Sequence, residues 1–562
     1  MKSKKLLTLM LTTVIVSTTM FVGCGGGSTA TSGTSGKVDK EQYMNLVLQM
    51  EPKTIDPSRS TDRYSNIVIT DTQEALTRCE KENGKDAVKP AGAESWKTSE
   101  DGLTWTFKLR SNKWSDGQEV KAKDYEYAMK RTLNPATASE YSYMLYTIKG
   151  AKEYNKGKGS AEDVGIKALD DKTLEIKLAQ PCAYFLNTTY FRVFTPQRQD
   201  IVEKSGEKYG SESDTVISSG PFIVKSWVHK NKMELEKNPN YWDKDKVKLS
   251  KVTLKIIEDT QSRMNELYNG SIDSADVEKK EWIDKLETTK KFEHVAGVDP
   301  SSDYMFFNTK DKLFSNAKVR KAFTLAFDRE DAEKTLYPLT RKAFYGWVPP
   351  GMQIGGEDFR TKAAEEPLKK LKEEVKDPKA LLVEGLKELG MDSDPANLTV
   401  TVTAAGTDAR ARQMEEYRQQ AFQKALGCKV KIDYMDWGIF QDKTKKGKDF
   451  QLAAMAWTGD YNDPMTMLDM WTTNSDMNRT SWSNAKYDEL IDKASKTMDQ
   501  KVRFEAFKEA EQILLHDDLP IAPIDYRIKT NYRRTYVKGM SDTLFGSTLE
   551  FKYAYTEGRD SK

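Results

Sequence analysis

Thiol and imidazole chemistry are scarce in this chain. Its 562 residues carry four cysteines and three histidines. His229, His294 and His516 are far apart, and none pairs at i, i+4 around a glutamate, which excludes a zincin-type zinc helix. His516-Asp517-Asp518 resembles a metal cluster at first sight. Adjacent side chains point in different directions, however, so we read it as a polar helix end. No C-x-x-C or other metal-ligand spacing occurs. The phosphate-cradling and dinucleotide glycine loops and the G-x-S-x-G elbow are absent as well. Counting alone leaves a Ser-His-Asp triad open, and the abundant carboxylates do not single out a glycosidase pair. An excess of one charge sign is also missing, with 88 Lys and Arg against 86 Asp and Glu. That balance removes nucleic acid as a default partner. The reading is a binding protein and not an enzyme, with no cofactor and no metal.

What is present is a globular composition, with 38% hydrophobic, 10% aromatic and 31% charged residues. At roughly 100–200 residues per domain, the length predicts two or three packed units. The start is different in kind. Lys2, Lys4 and Lys5 precede an uncharged, largely apolar stretch from Leu6 to Val22, the pattern of a secretory signal. Phe21-Val22-Gly23-Cys24 resembles the lipobox of bacterial lipoproteins, with Phe21 where Leu is usual. The resemblance implies removal of residues 1–23 and a diacylglyceryl group on the thiol of Cys24. A plain secretory signal with an incidental cysteine is the alternative. Residues 24–40 then read as the lipidated Cys24 and a tether, Gly/Ser/Thr-rich from Gly25 to Gly36. No later stretch has the about 18 unbroken apolar residues of a spanning helix. The expectation is therefore a body held outside the cytoplasmic membrane by lipid. Cys79, Cys182 and Cys428 are an odd number and read as small buried hydrophobes.

The body mixes two periodicities. Leu103, Trp105, Phe107 and Leu109 alternate with polar residues, as do Leu174, Ile176 and Leu178, and Val252, Leu254 and Ile256. These are half-buried strands. Val319, Ala322, Phe323, Ala326 and Phe327 follow helical spacing after a cap at Ser315 or Asn316. Tyr487, Leu490, Ile491 and Ala494 do the same after Ser483. Leu398–Val402, the apolar face Met414, Tyr417, Ala421, Phe422 and Ala425, the stop at Gly427, and Val430–Tyr434 make a β-α-β unit. The Lys/Glu-rich stretch 357–379 reads as a solvated helix or loop. The fold class is mixed α/β.

Several stretches, taken together, resemble the solute-binding proteins of peptide ABC importers, specifically the oligopeptide-binding family (bacterial extracellular solute-binding family 5). They begin with Ile55-Asp56-Pro57, then Ala93-Glu94-Ser95-Trp96 and Asp101 to Arg110. Trp114-Ser115-Asp116-Gly117, Ala122-Lys123-Asp124-Tyr125 and Thr137-Ala138-Ser139-Glu140-Tyr141 follow. Gly220-Pro221-Phe222, Asn238 to Trp242, Phe307-Asn308-Thr309, Val319 to Phe323 and Asp328-Arg329-Glu330 continue in order. Trp457 to Pro464 closes the series. The matches span about residues 44–555.

The resemblance implies a two-lobed periplasmic-binding-protein-like fold (type II, with an extra inserted domain) and a ligand cleft between the lobes. Lobe I would take 41–74, 199–302 and 521–562, with the insert at 75–198; lobe II would take 303–520. The crossings are expected near Asp303–Thr309 and Pro520–Tyr526. The resemblance also implies a monomeric receptor for short peptides that feeds a permease and ATPase complex, tethered as in Gram-positive cells. A peptide of any sequence offers only main chain and termini as constants, so it would be bound as an added strand. The implied ligand residues are Thr61, Asp62 and Arg63 on one side, and Trp457, Thr458 and Gly459 on the other. Asp460 would hold the peptide α-ammonium, and Tyr141 would contact the main chain. The bare residues leave other roles open: Asp460 as a turn former, Trp457 and Tyr141 as core, and 61–63 as an ordinary loop. Some relatives hold the peptide carboxylate with an Arg three residues before the motif Trp, where this chain has Ala454. Lys445, Lys446 and Lys448 lie upstream in a basic run that most often is a solvated face. The alternatives are a receptor for a nickel chelate, haem or oligosaccharide, and a signalling-peptide sensor. The amine-facing Asp460 argues against the first group.

Overall fold

The computed structural model describes residues 37–406 and 409–559. The stretch read as a secretion signal, Cys24, and most of the stretch read as a tether lie outside the described residues. The described residues from Val38 onward cluster as one compact unit.

Alternating apolar residues build three sheets. The first joins β1 (Tyr43–Leu48), β8 (Phe222–Val228), β9 (Lys232–Lys237) and β10 (Lys251–Ile256) in the order β1-β10-β9-β8. β1 runs parallel to β10. Its inward residues Met44, Leu46, Val252 and Leu254 are fully buried. The second sheet joins β4 (Ala93–Thr98), β5 (Thr104–Leu109), β6 (Ile166–Asp170) and β7 (Thr173–Lys177), all antiparallel, in the order β4-β5-β7-β6. Trp105, Phe107, Leu174 and Ile176 point inward, as the alternation requires. A hairpin, β2 (Thr77–Glu82) and β3 (Lys85–Pro90), precedes it.

The third sheet positions the site. It runs β11 (Ser274–Asp276), β19 (Ile521–Arg534), β12 (Phe292–Phe307), β18 (Leu452–Thr458), β16 (Thr399–Ala405) and β17 (Lys429–Met435). β13 (Arg341–Ala343) adds to β19, and β14 (Gln353–Ile354) and β15 (Glu357–Asp358) form a small separate hairpin. β12 and β19 are 16 and 14 residues long and pair antiparallel along their length. Their register shifts between Val298 and Ser302 and again between Asp303 and Tyr304. One half lies beside β11 and the other carries β18, β16 and β17. Residues 303–307 and 521–526 lie on these two strands.

The β-α-β unit is present, with β16 and β17 parallel and the helix Ala409–Leu426 between them. Gly427 takes φ +77° just beyond that helix, a conformation that favours glycine. Cys79, Cys182 and Cys428 are free and buried. Two expectations are corrected. The cap of the helix Ala485–Ser495 is Asn484, not Ser483; its side chain accepts the N–H groups of Lys486 and Tyr487. The stretch 357–379 is not simply solvated: Phe359, Ala363, Leu368 and Leu371 are in the core. Charged residues outnumber the apolar ones there, but the latter fall on one face of short helices.

Candidate functional site

The site lies at the end of β18. One edge of that strand pairs with β12 from Leu452 to Thr458. The other meets β16 only at Leu452 and Ala453. From Ala454 to Thr458 that second edge has no strand partner among the described residues, so main-chain groups stand ready for an added strand. The strand end is pinned by Gly459 N–H donating to Pro300 O at 2.9 Å and by a 2.7 Å hydrogen bond between the Thr458 and Ser301 hydroxyls. Trp457 is half-buried, and its Nε1 donates to Thr466 O at 2.9 Å.

The loop that follows is held at nearly every residue. Tyr461 stacks on Tyr184, with ring centroids 5.0 Å apart. Asn462 accepts Gln353 N–H and Asn187 Nδ2, both at 2.8 Å. Asp463 accepts Met465 N–H at 3.0 Å and both Arg503 terminal nitrogens at 2.7 and 2.8 Å. It is thus Asp463 that makes the turn into the helix Met465–Leu468. Asp460 is spared that task. Its N–H donates to the Thr466 hydroxyl at 3.1 Å, and its Oδ2 accepts the Tyr143 hydroxyl at 2.5 Å.

No cation among the described residues lies within ion-pair distance of Asp460. Burial pushes its carboxyl up to about 6, against the opposing effects of the Tyr143 hydroxyl and the Arg192 charge. Arg192 is itself engaged, donating to Ser60 O at 3.2 Å and to Asn66 Oδ1 at 3.3 Å. Its guanidinium sits 4.1 Å over the Tyr141 ring. Tyr141 is half-buried between Tyr143 and Phe191, with centroids at 5.6 and 5.2 Å. Burial raises its hydroxyl, with Asp460 adding to the shift.

Of the expected residues, the structure therefore brings Trp457, Thr458, Gly459, Asp460 and Tyr141 together. Thr61, Asp62 and Arg63 stand apart in their polar contacts. Asp62 caps the helix Arg63–Thr72, accepting Ser65 N–H at 2.8 Å and the Ser65 hydroxyl at 2.6 Å. Arg63 opens that helix and lies 3.7 Å from Asp276. Asp276 also lines a cavity of about 500 Å³ with Val298, Gln353 and Lys529. Of the upstream lysines, Lys445 pairs with Asp442 at 2.6 Å. Sequence reasoning missed Tyr143, Arg192 and Thr466. Tyr143 stands two residues after Tyr141, but nothing in the sequence marks which tyrosine meets the carboxylate.

Among the described residues no group of His, Cys, Asp and Glu is arranged to hold a metal, and no helix is long and apolar enough to cross a membrane. A mixed α/β fold whose long strands join two sheet regions, with an open strand edge ending in an unpaired carboxylate, defines a solute-binding receptor. A family model described as bacterial extracellular solute-binding proteins, family 5 middle, matches residues 87–479. The chain belongs to that family, whose members are receptors and not enzymes. It is 34% identical over 541 residues to the oligopeptide-binding protein OppA of Bacillus subtilis, covering 94% of this chain and 96% of that one. It is also 34% identical to the dipeptide-binding protein DppE of the same organism, covering 92% and 93%. Among solved structures, the substrate-binding domain of an oligopeptide ABC transporter from Bacillus anthracis superposes with a TM-score of 0.78 at 32% identity, covering 93% and 100%. Listeria monocytogenes OppA bound to peptide gives 0.76 at 32%, covering 92% and 99%. The two-lobed, periplasmic-binding-protein-like fold is thus common to all of them.

Proposed function

We propose that this chain captures short peptides in a cleft between its lobes and delivers them to an ABC permease. The observation that carries the reading is Asp460: a carboxylate without a cation, at the end of a strand whose edge is open. An unpaired, enclosed carboxylate is costly, and a ligand ammonium offsets that cost. The peptide main chain adds along Ala454–Thr458, and Tyr141 contacts it. Thr61 contributes from the opposite side, with Asp62 and Arg63 fixing the helix behind it. The lobes follow the division 41–74, 199–302 and 521–562 against 303–520, with 75–198 inserted. Closure bends β12 and β19 where their register shifts. The receptor acts as a monomer, held to the outer face of the membrane by lipid on Cys24. The peptide-binding names of its relatives support this reading.

The pH dependence of binding tests it. Without ligand the Asp460 carboxyl titrates at about 6. An ammonium needs it ionised, so affinity for free-amine peptides rises through that range. It falls again above about 8, where the peptide amine loses its proton. An N-acetylated peptide titrated calorimetrically has neither limb. The same profile for both peptides would refute the amine anchor.

A further inference from the structure

The cavity beside the site holds a cation that the fold leaves without a carboxylate. The cavity measures about 500 Å³, within the roughly 300–1,000 Å³ of ligand pockets. Its walls include Val298 of β12, Lys529 and Asn531 of β19, Asp276, Gln353 and Leu544. These walls tie it to both segments expected to hold the peptide. Gln353 N–H donates to Asn462 Oδ1 at 2.8 Å. Met352 and Phe545, the chain neighbours of Gln353 and Leu544, both pack on Gly459. On the other side, Asp276 lies 3.7 Å from Arg63. The space thus reaches from the neighbourhood of Arg63 to that of Gly459.

The stem of Lys529 crosses Gly297. That glycine stands opposite Lys529 in the β12–β19 register, and a Cβ there would lie 4.0 Å from Lys529 Cδ. Lys529 is half-buried, and its Nζ donates to Thr543 O at 2.9 Å. An ammonium has three donors, and that bond takes one. No carboxylate among the described residues lies within ion-pair distance of Lys529. The acids around it are engaged elsewhere. Asp86 accepts the N–H groups of Leu544 and Phe545 at 2.7 and 3.1 Å and pairs with Lys81 at 2.6 Å. Asp276 accepts Asn531 Nδ2 at 3.0 Å. Asp542 pairs with Arg533, and Asp299 accepts the Ser301 hydroxyl. Lys81 and Arg533 are thereby neutralised, and Lys85 is exposed and donates to Gly356 O at 2.8 Å. Lys529 meets only a carbonyl. Burial lowers its amine below the ordinary lysine value, although Asp299, Asp86, Asp276 and Asp542 oppose the shift.

We propose that the cavity takes a carboxylate of the captured peptide, from an acidic side chain or from the C-terminus, and that Lys529 Nζ holds it. This rests on the peptide-receptor reading above. An added strand turns alternate side chains to opposite faces, and one of them enters the cavity. A carboxylate there supplies the counter-charge that the wall lacks and accepts the spare ammonium donors. An amide of the same shape brings no charge and leaves the ammonium covered and unpaired. Lys529 is then a specificity-determining residue.

Calorimetric titration of the wild type, Lys529→Met and Lys529→Arg with tetra-alanine peptides is the test. One set carries Glu at each position in turn, and a second carries Gln in the same places. A third pair is the all-alanine peptide with a free or an amidated C-terminus. In the wild type one Glu peptide is expected to bind roughly tenfold or more tighter than its Gln counterpart, the scale of a charge-assisted hydrogen bond. If the C-terminus is the source, the free acid exceeds the amide by that factor instead. Lys529→Met should erase the preference and bind the Gln peptides as the wild type does, which also reports that the variant is folded. Lys529→Arg, which keeps the charge, should retain the preference. Equal affinities within every wild-type pair would overturn the proposal, and so would a preference that survives Lys529→Met. The Gln peptides separate this from the underlying reading. If they bind through their free amine, the receptor reading stands whatever Lys529 does. If no peptide binds the wild type, both fall.

Discussion

Asp460→Asn should weaken binding of free-amine peptides by roughly two to three orders of magnitude, as expected for losing one partner of an enclosed ion pair worth about 3–5 kcal/mol. N-acetylated peptides, which never made that pair, should bind the variant and the wild type alike. The same substitution has an opposite effect on the empty protein. The Asp460 carboxyl is raised to about 6 in the folded state by burial. Ionising it therefore opposes folding, and stability present below the unfolded value is lost as pH rises through about 6. Asparagine removes that cost. At neutral pH the ligand-free variant should be more stable by about 1–3 kcal/mol, since each tenfold change in proton affinity is worth about 1.4 kcal/mol and partial solvation reduces the sum. Denaturant unfolding of ligand-free protein reads this directly. A variant that is no more stable and loses both peptides equally would assign Asp460 to the loop and not to the ligand.

Arg503→Met should produce the largest loss of stability. Arg503 is fully buried and meets both Asp463 oxygens, and Asp463 is itself 3% exposed. Arg503 also donates to Ala494 O at 3.1 Å, near the end of the helix Ala485–Ser495. Methionine fills much of the space but leaves the Asp463 charge uncompensated, at a cost of about 3–5 kcal/mol. Adding Asp463→Asn should recover part of the loss, because the stranded charge is gone. Binding should fall too, since Asp463 fixes the turn into the helix Met465–Leu468, whose Thr466 takes the Asp460 N–H. Urea unfolding of the single and double variants measures the coupling. A single-variant change below about 1 kcal/mol would mean that the pair is solvated and does not hold the loop.

The elements legible in the sequence were those with a clean period. Leu103 to Leu109 alternates, and β5 is where that alternation lies. The β16–helix–β17 unit was readable because its helix ends at a glycine and its strands are rich in Val and Ile. Asn484 took the cap from Ser483 because both neighbouring residues are capping types, and one position decides which side chain reaches the N–H groups. The buried Phe359 and Leu371 were hidden by the lysines and glutamates around them. At the site, the motif from Trp457 to Pro464 identified the loop but not which aspartate turns it. That division of labour depends on Arg503, 40 residues away, and on Tyr143, 317 residues away. Periodicity does not report such long-range pairs.

The most direct test of the central claim is native mass spectrometry of the chain lacking residues 1–23, with Cys24 replaced, purified from cells without added ligand. A peptide receptor with an enclosed, unpaired Asp460 should carry a heterogeneous mass increment that mild denaturation releases as short free-amine peptides. A bare protein that also ignores a mixed peptide pool in a thermal-shift assay would contradict the account.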